Sequence, residues 1–344
     1  MPLTQLNFQP GIDTENTPTG AEGRWIDCDK VRFRKGLPQK IGGWTKFSET
    51  YYVGVGRALE QWFDLNGARY EALGTDRKLY VYQGGDNQDI TPIRTTANLI
   101  NAITTTNASA TLTITDSSHL AAVGDFVTLS SVSANVGGIA NTVLDAEYEI
   151  LSITNADAYI VQSSATATST AGPSANCTVS YQIPIGPSVQ TFGFGWGAGT
   201  WNAGTWNTPR TSSQITLDAR LWCINNWGED LVITEKDGST YEWLESGGMS
   251  GNRATVVANA PTTSTLSLVS TETRHVVCMG TETTIGNIGT QDKMFIRWSD
   301  QENYNQWTPN VTNSAGSQRI AGGSEIRCAR PAKGTILVWT ERMC

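Results

Sequence analysis

Short runs of alternating apolar and polar residues recur along the chain, and turns rich in Gly or in charged residues separate them. Alternation with a period of two is typical of β-strands, and paired runs across a short turn predict antiparallel hairpins. Each predicted hairpin has an apolar first strand and a second strand that carries Trp or Tyr. Four hairpins are predicted in this way, over residues 69–82, 231–244, 275–298 and 326–339.

If residues 95–184 are set aside as an insertion, these hairpins follow one another at about 45–70 residues, which is the range of β-propeller blades. We therefore predict an all-β fold built on a β-propeller-like platform of repeated hairpins. A large β-sandwich or an irregular β domain is the alternative that the pattern leaves open. No helix of normal length is predicted anywhere in the chain.

The insertion is rich in Thr, Ser, Ala and Val, and it has strand-like runs of its own, for example at residues 110–114, 125–129 and 147–153. Gly-containing turns separate these runs, so we predict a small β-barrel or sandwich placed in a loop of the platform. The predicted organisation is an N-terminal arm without a regular element (1–23), a first part of the platform (24–94), the inserted domain (95–184) and a second part of the platform (185–344).

Composition narrows the function classes. The 344 residues are 39% hydrophobic and carry a formal net charge of −8, which gives no overall attraction to nucleic acid. No apolar run approaches the roughly 20 residues that span a bilayer, and the N-terminus has neither the basic nor the apolar region of a signal peptide. None of the six cysteines forms a CxxC pair, so we expect small buried side chains in a protein made in a reducing compartment.

The charge is distributed unevenly. Residues 24–46 hold seven Lys or Arg and two Asp, whereas residues 95–209 hold no Lys or Arg. Within the basic stretch Val31 and Phe33 alternate with Arg32 and Arg34, which predicts a strand with one apolar and one cationic face. The residues 35–38 that follow, Lys-Gly-Leu-Pro, predict a turn.

Four side chains of this segment are candidates for contacts with another subunit or with a DNA channel: Arg32, Arg34, Lys35 and Lys40. A solvated basic face is the alternative. A second candidate contact region is the Gly/aromatic run over residues 191–206, where Trp196, Trp201 and Trp206 offer large rigid surfaces. That run is expected either to lie across a neighbouring subunit or ligand, or to pack on its own domain.

No catalytic motif is evident. The two histidines, His119 and His275, have no Cys, Asp or His at metal-ligand spacing, and the HExxH, GxSxG and P-loop patterns do not occur. The acidic pairs Glu229–Asp230 and Asp300/Glu302 have the chemistry of glycosidases, but adjacent acids in turns are usually solvated. We therefore expect neither catalysis nor a metal or other cofactor.

Four stretches resemble the nozzle, or tail-tubular B-like, proteins of short-tailed bacteriophages, a group that includes packaged-DNA stabilisation proteins. They are residues 31–44, residues 74–82, the pair 193–206 and 220–231, and residues 296–309. The last two are long and unusual and are the most specific part of the resemblance. The resemblance covers most of residues 24–340, with the inserted domain similar only as a generic β-domain.

The resemblance implies a non-enzymatic virion protein, made in the host cytoplasm and placed in the tail. It implies a homo-oligomeric ring, with six subunits, attached below the portal and adaptor, that lines the DNA exit channel and helps to retain packaged DNA. No small-molecule substrate is implied. Members of the family usually continue past the point where this chain stops, so we expect either an N-terminal portion or a reduced architecture.

A second function class remains open on the residues alone. Trp-rich loops and turn carboxylates are also typical of proteins that bind or cleave carbohydrate, which a virion β-protein can do. A secreted adhesin of β-modules is the weakest hypothesis, because the signal peptide and a paired-cysteine framework are not evident.

Overall fold

The computed structural model describes residues 8–43, 45–46, 48–189, 191–192 and 216–342. The chain divides into two compact units, Met1–Glu49 and Thr50–Cys344. Nearly every element is a short β-strand in a small antiparallel sheet, which confirms the predicted all-β class. The described residues include one four-residue α-helix and two short 3-10 helices, and none of their helices is long and apolar enough to cross a membrane.

The first unit holds two small sheets. β1 (Gln9–Ile12) pairs in parallel with β2 (Arg24–Trp25), and β3 (Val31–Arg34) pairs antiparallel with β4 (Leu37–Lys40). The prediction that residues 1–23 hold no regular element is wrong, because the backbone of β1 finds hydrogen-bonding partners around β2.

The β3–β4 hairpin turns at two residues, Lys35 and Gly36, whose φ angles are both positive (51° and 79°). Two positive φ angles are the type I′ geometry, which fits the twist of the flanking strands. The predicted turn over residues 35–38 is therefore too long, since Leu37 and Pro38 belong to β4. Pro38 is tolerated there because β4 has a neighbour on one side only.

The second unit begins with a four-stranded sheet, here called sheet I. Its strands pair in sequence order, and all pairs are antiparallel. They are β5 (Gly56–Phe63), β6 (Arg69–Thr75), β7 (Leu79–Gln83) and β8 (Asp86–Asp89).

The inserted domain follows directly, and it consists of two separate sheets around one core. Its elements are β9 (Ile93–Leu99), β10 (Ile103–Thr105), β11 (Thr111–Thr115), β12 (Phe126–Ser130), α1 (Asn141–Leu144), β13 (Glu147–Glu149), β14 (Ser152–Asn155), β15 (Ala158–Gln162), β16 (Ala171–Ser174) and β17 (Cys177–Gln182). The sheet orders are β14-β15-β11-β10-β16 and β13-β12-β17-β9. Of the two predicted forms, this is the sandwich.

The core of the sandwich is apolar and aromatic, and Tyr159, Val127 and Ile114 are completely buried within it. The single strand predicted over residues 147–153 is in fact two strands in different sheets. The chain crosses from one sheet to the other at Ile150 and Leu151, where Ile150 is buried in the core and its backbone pairs with Asp125.

After the sandwich, two short strands, β18 (Thr191–Phe192) and β19 (Thr216–Leu217), pair antiparallel. Three further sheets follow, and each again pairs its strands in sequence order. Sheet II comprises β20 (Trp222–Trp227), β21 (Asp230–Glu235), β22 (Thr240–Trp243) and β23 (Thr255–Val256). Sheet III comprises β24 (Leu266–Val269), β25 (Val276–Met279), β26 (Phe295–Trp298) and β27 (Gly316–Arg319), and sheet IV comprises β28 (Ile326–Ala332) and β29 (Thr335–Thr340).

The four predicted hairpins are all confirmed, as β6–β7, β21–β22, β25–β26 and β28–β29. In sheets I to III the hairpin forms the middle of the sheet, and one further strand flanks it on each side. The repeating element of the platform is therefore a four-stranded meander.

Consecutive sheets pack face to face through apolar clusters, as in a β-propeller. Trp62 of sheet I and Trp222 and Trp243 of sheet II lie in the first cluster. Trp227 and Val232 of sheet II meet Cys278 of sheet III in the second. The third joins sheet III to Ile326 and Ala329 of sheet IV. Because full burial of each large apolar side chain stabilises by about 1.5–3 kcal/mol, these clusters hold the sheets together.

Candidate functional site

The β3–β4 hairpin separates the predicted basic contacts. Cross-strand partners point to the same face, so the pairs Arg32–Gln39 and Arg34–Leu37 share one face, and Val31–Lys40 and Phe33–Pro38 share the other. The structure thus brings Arg32 and Arg34 together, whereas Lys40 projects to the opposite face and Lys35 lies in the turn. All four are exposed, and Arg32 Nε donates to Gln39 Oε1 at 3.1 Å.

The first unit has almost no core of its own. Ala21 is its one buried apolar residue among the residues that the structure describes. Large apolar side chains of the same unit lie exposed instead: Phe8, Ile12, Ile26, Leu37 and Ile41. Leu37 is the most exposed of them, with 69% of its surface accessible.

The Gly/aromatic run is described only at its base. The backbone of Phe192 pairs with that of Thr216, and the backbone of Thr191 pairs with that of Leu217, so the start of the run lies beside residues 216–217. The candidate residues Trp196, Trp201 and Trp206 lie outside the described residues, as does Trp44.

Three of the acidic residues considered for glycosidic chemistry accept hydrogen bonds from backbone N–H groups. Glu229 accepts from Leu65 N (2.9 Å), and Asp230, whose pKa burial raises, accepts from Glu245 N (2.9 Å). Asp300 accepts from the backbone N and the hydroxyl of Ser314, both at 2.8 Å, and these bonds lower the pKa of the Asp300 carboxyl. These contacts give the carboxylates a structural role.

His119 also has structural surroundings. His119 Nδ1 accepts from Ala121 N (3.0 Å), which leaves Nε2 as the donor to the Asn155 carbonyl (3.2 Å). Across the described part of the chain, no group of three or more His, Cys, Asp or Glu residues is arranged to hold a metal ion.

A cavity of about 1010 Å³ lies where the first strands of the four sheets meet, and it was not predicted from the sequence. Its walls are formed by β5, β20, β24 and β28, together with the adjoining residues Lys236 and Arg274. We call it the axial cavity, because the first strand of each blade surrounds the axis in a β-propeller.

The axial cavity is basic, although the chain as a whole is acidic. Its lining includes five cationic side chains and two carboxylates. The cations are Arg57, Lys236, Arg274, Arg327 and Arg330, and the carboxylates are Glu60 and Glu325. Lys236 pairs with Asp218 at 2.6 Å, and Arg327 pairs with Glu325 at 3.1 Å.

Arg330 of sheet IV acts across the cavity on the first two sheets. Burial raises the pKa of Glu60 on β5, and the positive charge of Arg330 opposes that rise. Burial likewise raises the pKa of Cys223 on β20, and the positive charge of Arg330 partly opposes this rise as well. Arg330 forms no ion pair within 4 Å and no hydrogen bond through its side chain with any described residue.

The exposed Cys328 also lines the cavity, so the prediction that the cysteines are buried holds for Cys177 and Cys278 but is wrong for Cys328. None of these lining residues is adjacent to the basic hairpin in sequence. A weak signal was present in sheet IV, where Arg327 and Arg330 interrupt an otherwise apolar strand.

A second cluster of charges joins the sandwich to the platform. The buried Lys78 of sheet I pairs with Asp89 at 2.9 Å and also with Glu147 of the sandwich. Arg253, which lies between β22 and β23 of sheet II, reaches the same two carboxylates at 3.2 and 3.5 Å. Gln182 donates to Glu147 at 2.5 Å. We call these five residues the sandwich joint.

No family model matches the chain, and no curated protein matches it. Among solved structures, the chain is similar to the phage phi92 endosialidase, with 12% sequence identity and a TM-score of 0.23. The similarity covers 79% of this chain and 39% of that chain, so the present chain spans well under half the length of that protein.

Proposed function

We propose that the chain is a structural subunit of a short phage tail, forming a homo-oligomeric ring of six copies below the portal and adaptor. In this proposal the ring lines the DNA exit channel and helps to retain packaged DNA. The motif resemblance described above suggests this role, and the fold is compatible with it, since stacked four-stranded sheets make a rigid platform.

The first unit is the observation that carries the proposal. With Ala21 as its one buried apolar residue among those described, it cannot gain the burial that stabilises an independent domain. Five large apolar side chains stay exposed in about forty residues, a density that marks interaction surfaces. Docking on a neighbouring subunit would cover them and would link each copy to the next.

The basic face of the β3–β4 hairpin adds a polar contact to this surface. Arg32 and Arg34 lie side by side on one face of β3, and neither forms an ion pair with a described residue. Arginine is well suited to bidentate contact with a carboxylate or a phosphate. We assign these two residues to the subunit boundary or to the channel wall.

The test is the mass of the purified chain in solution and its appearance in negative-stain electron microscopy, alone and with an adaptor–portal ring. We expect a ring of about six copies, and we expect Leu37→Ser with Ile41→Ser to dissociate it while the melting of the second unit stays unchanged. Leu65→Ser, on a still more exposed leucine of the second unit, is the control and should leave the ring intact.

A strictly monomeric chain that never joins the adaptor–portal ring would overturn the proposal. Arg32→Ala with Arg34→Ala should weaken ring assembly or DNA retention without unfolding the protein. A glycan array and a hydrolysis assay on host polysaccharide examine the carbohydrate alternative in parallel. If the chain is a monomer that binds glycans, carbohydrate binding would replace ring formation as the proposed function.

A further inference from the structure

We propose that the axial cavity binds an extended acidic peptide of a partner protein. This interaction goes beyond ring formation and does not depend on it, because the described residues that line the cavity all belong to the second unit. Two independent features of the cavity support the proposal, namely its charge and its exposed strand edges.

The charge of the cavity is specific to its lining. Among the described lining residues, five cations against two carboxylates give a positive surface inside a chain whose net charge is −8. Glu325 is neutralised by Arg327, and Glu60 faces Arg330. Arg274 has its guanidinium over the Trp227 ring at 4.7 Å and, like Arg330, has no ion pair with a described residue. Two guanidinium groups, that of Arg330 on β28 and that of Arg274 in the loop between β24 and β25, therefore stay available for carboxylates.

The strand edges supply the second feature. β5, β20, β24 and β28 are each the outermost strand of their sheet and have one neighbour only. In an antiparallel edge strand, alternate N–H and C=O groups point away from the neighbour and can pair with an added strand. A peptide paired along the six residues of β20 would extend about 20 Å.

The combination of charge and edges favours a peptide over a small anion. A single carboxylate or phosphate would occupy a small part of a cavity of about 1010 Å³, which is at the upper end of ligand sites. A carboxylated oligosaccharide would use the arginines but would leave the backbone edges unpaired. An extended peptide that alternates Asp or Glu with apolar residues uses the arginines and the strand edges together. Its acidic side chains, all on one face, contact the cations, and its main chain pairs with an edge strand.

The experiment uses the full chain and a fluorescein-labelled, end-blocked hexapeptide of sequence Asp-Val-Glu-Val-Asp-Val, with binding followed by anisotropy at low salt. We expect saturable binding that Arg330→Gln and Arg274→Gln each weaken about tenfold, because each removes a charge-assisted hydrogen bond. Glu60→Gln should tighten binding. Lys333→Gln is the matched control, since Lys333 is an exposed cation of sheet IV outside the cavity, and it should leave the affinity unchanged.

Three comparisons can overturn the proposal. The hexapeptide with Asn and Gln in place of Asp and Glu, or the acidic hexapeptide N-methylated at alternate residues, must bind at least tenfold more weakly; equal binding of either contradicts it. A carboxylated trisaccharide that binds as tightly, with the same dependence on Arg330, would assign the cavity to an anionic glycan instead. Arg330→Lys keeps the positive charge but not the planar guanidinium group. Its thermal unfolding midpoint shows whether a loss of peptide binding is caused by a loss of folding.

Discussion

The indole of Trp222 occupies the space that Gly74 leaves by having no side chain. A Cβ atom added to Gly74 would lie 2.5 Å from Trp222 Cδ1, and Trp222 Nε1 donates to the carbonyl of Thr75 at 2.6 Å. This contact holds the first strand of sheet II against sheet I. A glycine is required at this strand position because the two sheets pack closely here.

Gly74→Ala should therefore destabilise the second unit. The added methyl group has to displace a buried tryptophan, and overpacking of this kind costs about 1–3 kcal/mol. The measurement is the free energy of unfolding in urea. Gly172→Ala is the control, because a Cβ atom at Gly172 meets nothing within 4 Å. Equal losses in the two variants would show that the Trp222 contact is unimportant.

Lys78→Met should separate the sandwich from the platform. The Lys78 side chain is 4% exposed and lies between two carboxylates, and removing one partner of a buried ion pair costs about 3–5 kcal/mol. Adding Glu147→Gln to Lys78→Met should recover part of that loss, because fewer unpaired charges then remain. Limited proteolysis near residues 90 and 185, together with urea unfolding, measures the effect. If the double variant is no more stable than Lys78→Met, the assignment of Lys78 and Glu147 to a buried ion pair is contradicted.

The sandwich joint should also weaken in acid. Burial alone would raise the pKa of Asp89, but the charges of Lys78 and Arg253 outweigh it and hold that pKa below its usual value. A carboxyl with a lowered folded pKa stabilises the fold above its unfolded pKa of about 3.9, and this stabilisation is lost as the pH falls through the folded value. Between pH 6 and pH 3 the wild type should lose more unfolding free energy than Asp89→Asn does. Asp86→Asn, at an exposed position of the same sheet, should follow the wild type.

Thiol labelling should distinguish the cysteines. Cys328 is exposed in the axial cavity, whereas Cys177 and Cys278 are buried and burial raises the pKa of each to about 11. Since the thiolate is the reactive species, the native protein should label quickly at Cys328 and should label Cys177 and Cys278 only on unfolding. Mass spectrometry of peptides after a short maleimide pulse identifies the sites. Rapid labelling of Cys278 in the native protein would contradict its burial in the sheet II–sheet III cluster.

The sequence predicted the four hairpins because each pairs an apolar first strand, through a small or charged turn, with a second strand that carries Trp or Tyr. It did not predict the outer strands β8 and β27, whose sequences Asp-Asn-Gln-Asp and Gly-Ser-Gln-Arg contain no large apolar residue. Outer strands of a blade are partly solvated, so burial imposes no pattern on them. Their presence follows from backbone pairing with a neighbour that is already in place.

The candidate site was harder to predict than the fold. The basic hairpin was visible because its arginines alternate within four residues, although the register that turns Lys40 to the opposite face depends on the length of the turn. The axial cavity was missed because Arg57, Arg274 and Arg330 are far apart in sequence, and they converge only through the packing of sheets I to IV. Long-range convergence of this kind has no local signature.

The sandwich enters and leaves the platform through two strands that are neighbours in one sheet, with Ile93 opposite Gln182 and Leu99 opposite Cys177. Its two attachment points are therefore adjacent in one sheet. Over evolutionary time such a domain can be exchanged as a module, provided that its replacement supplies a partner for Lys78 and Arg253 of the platform. The surface that the sandwich presents can thus diversify while the apolar clusters between sheets I to IV stay the same.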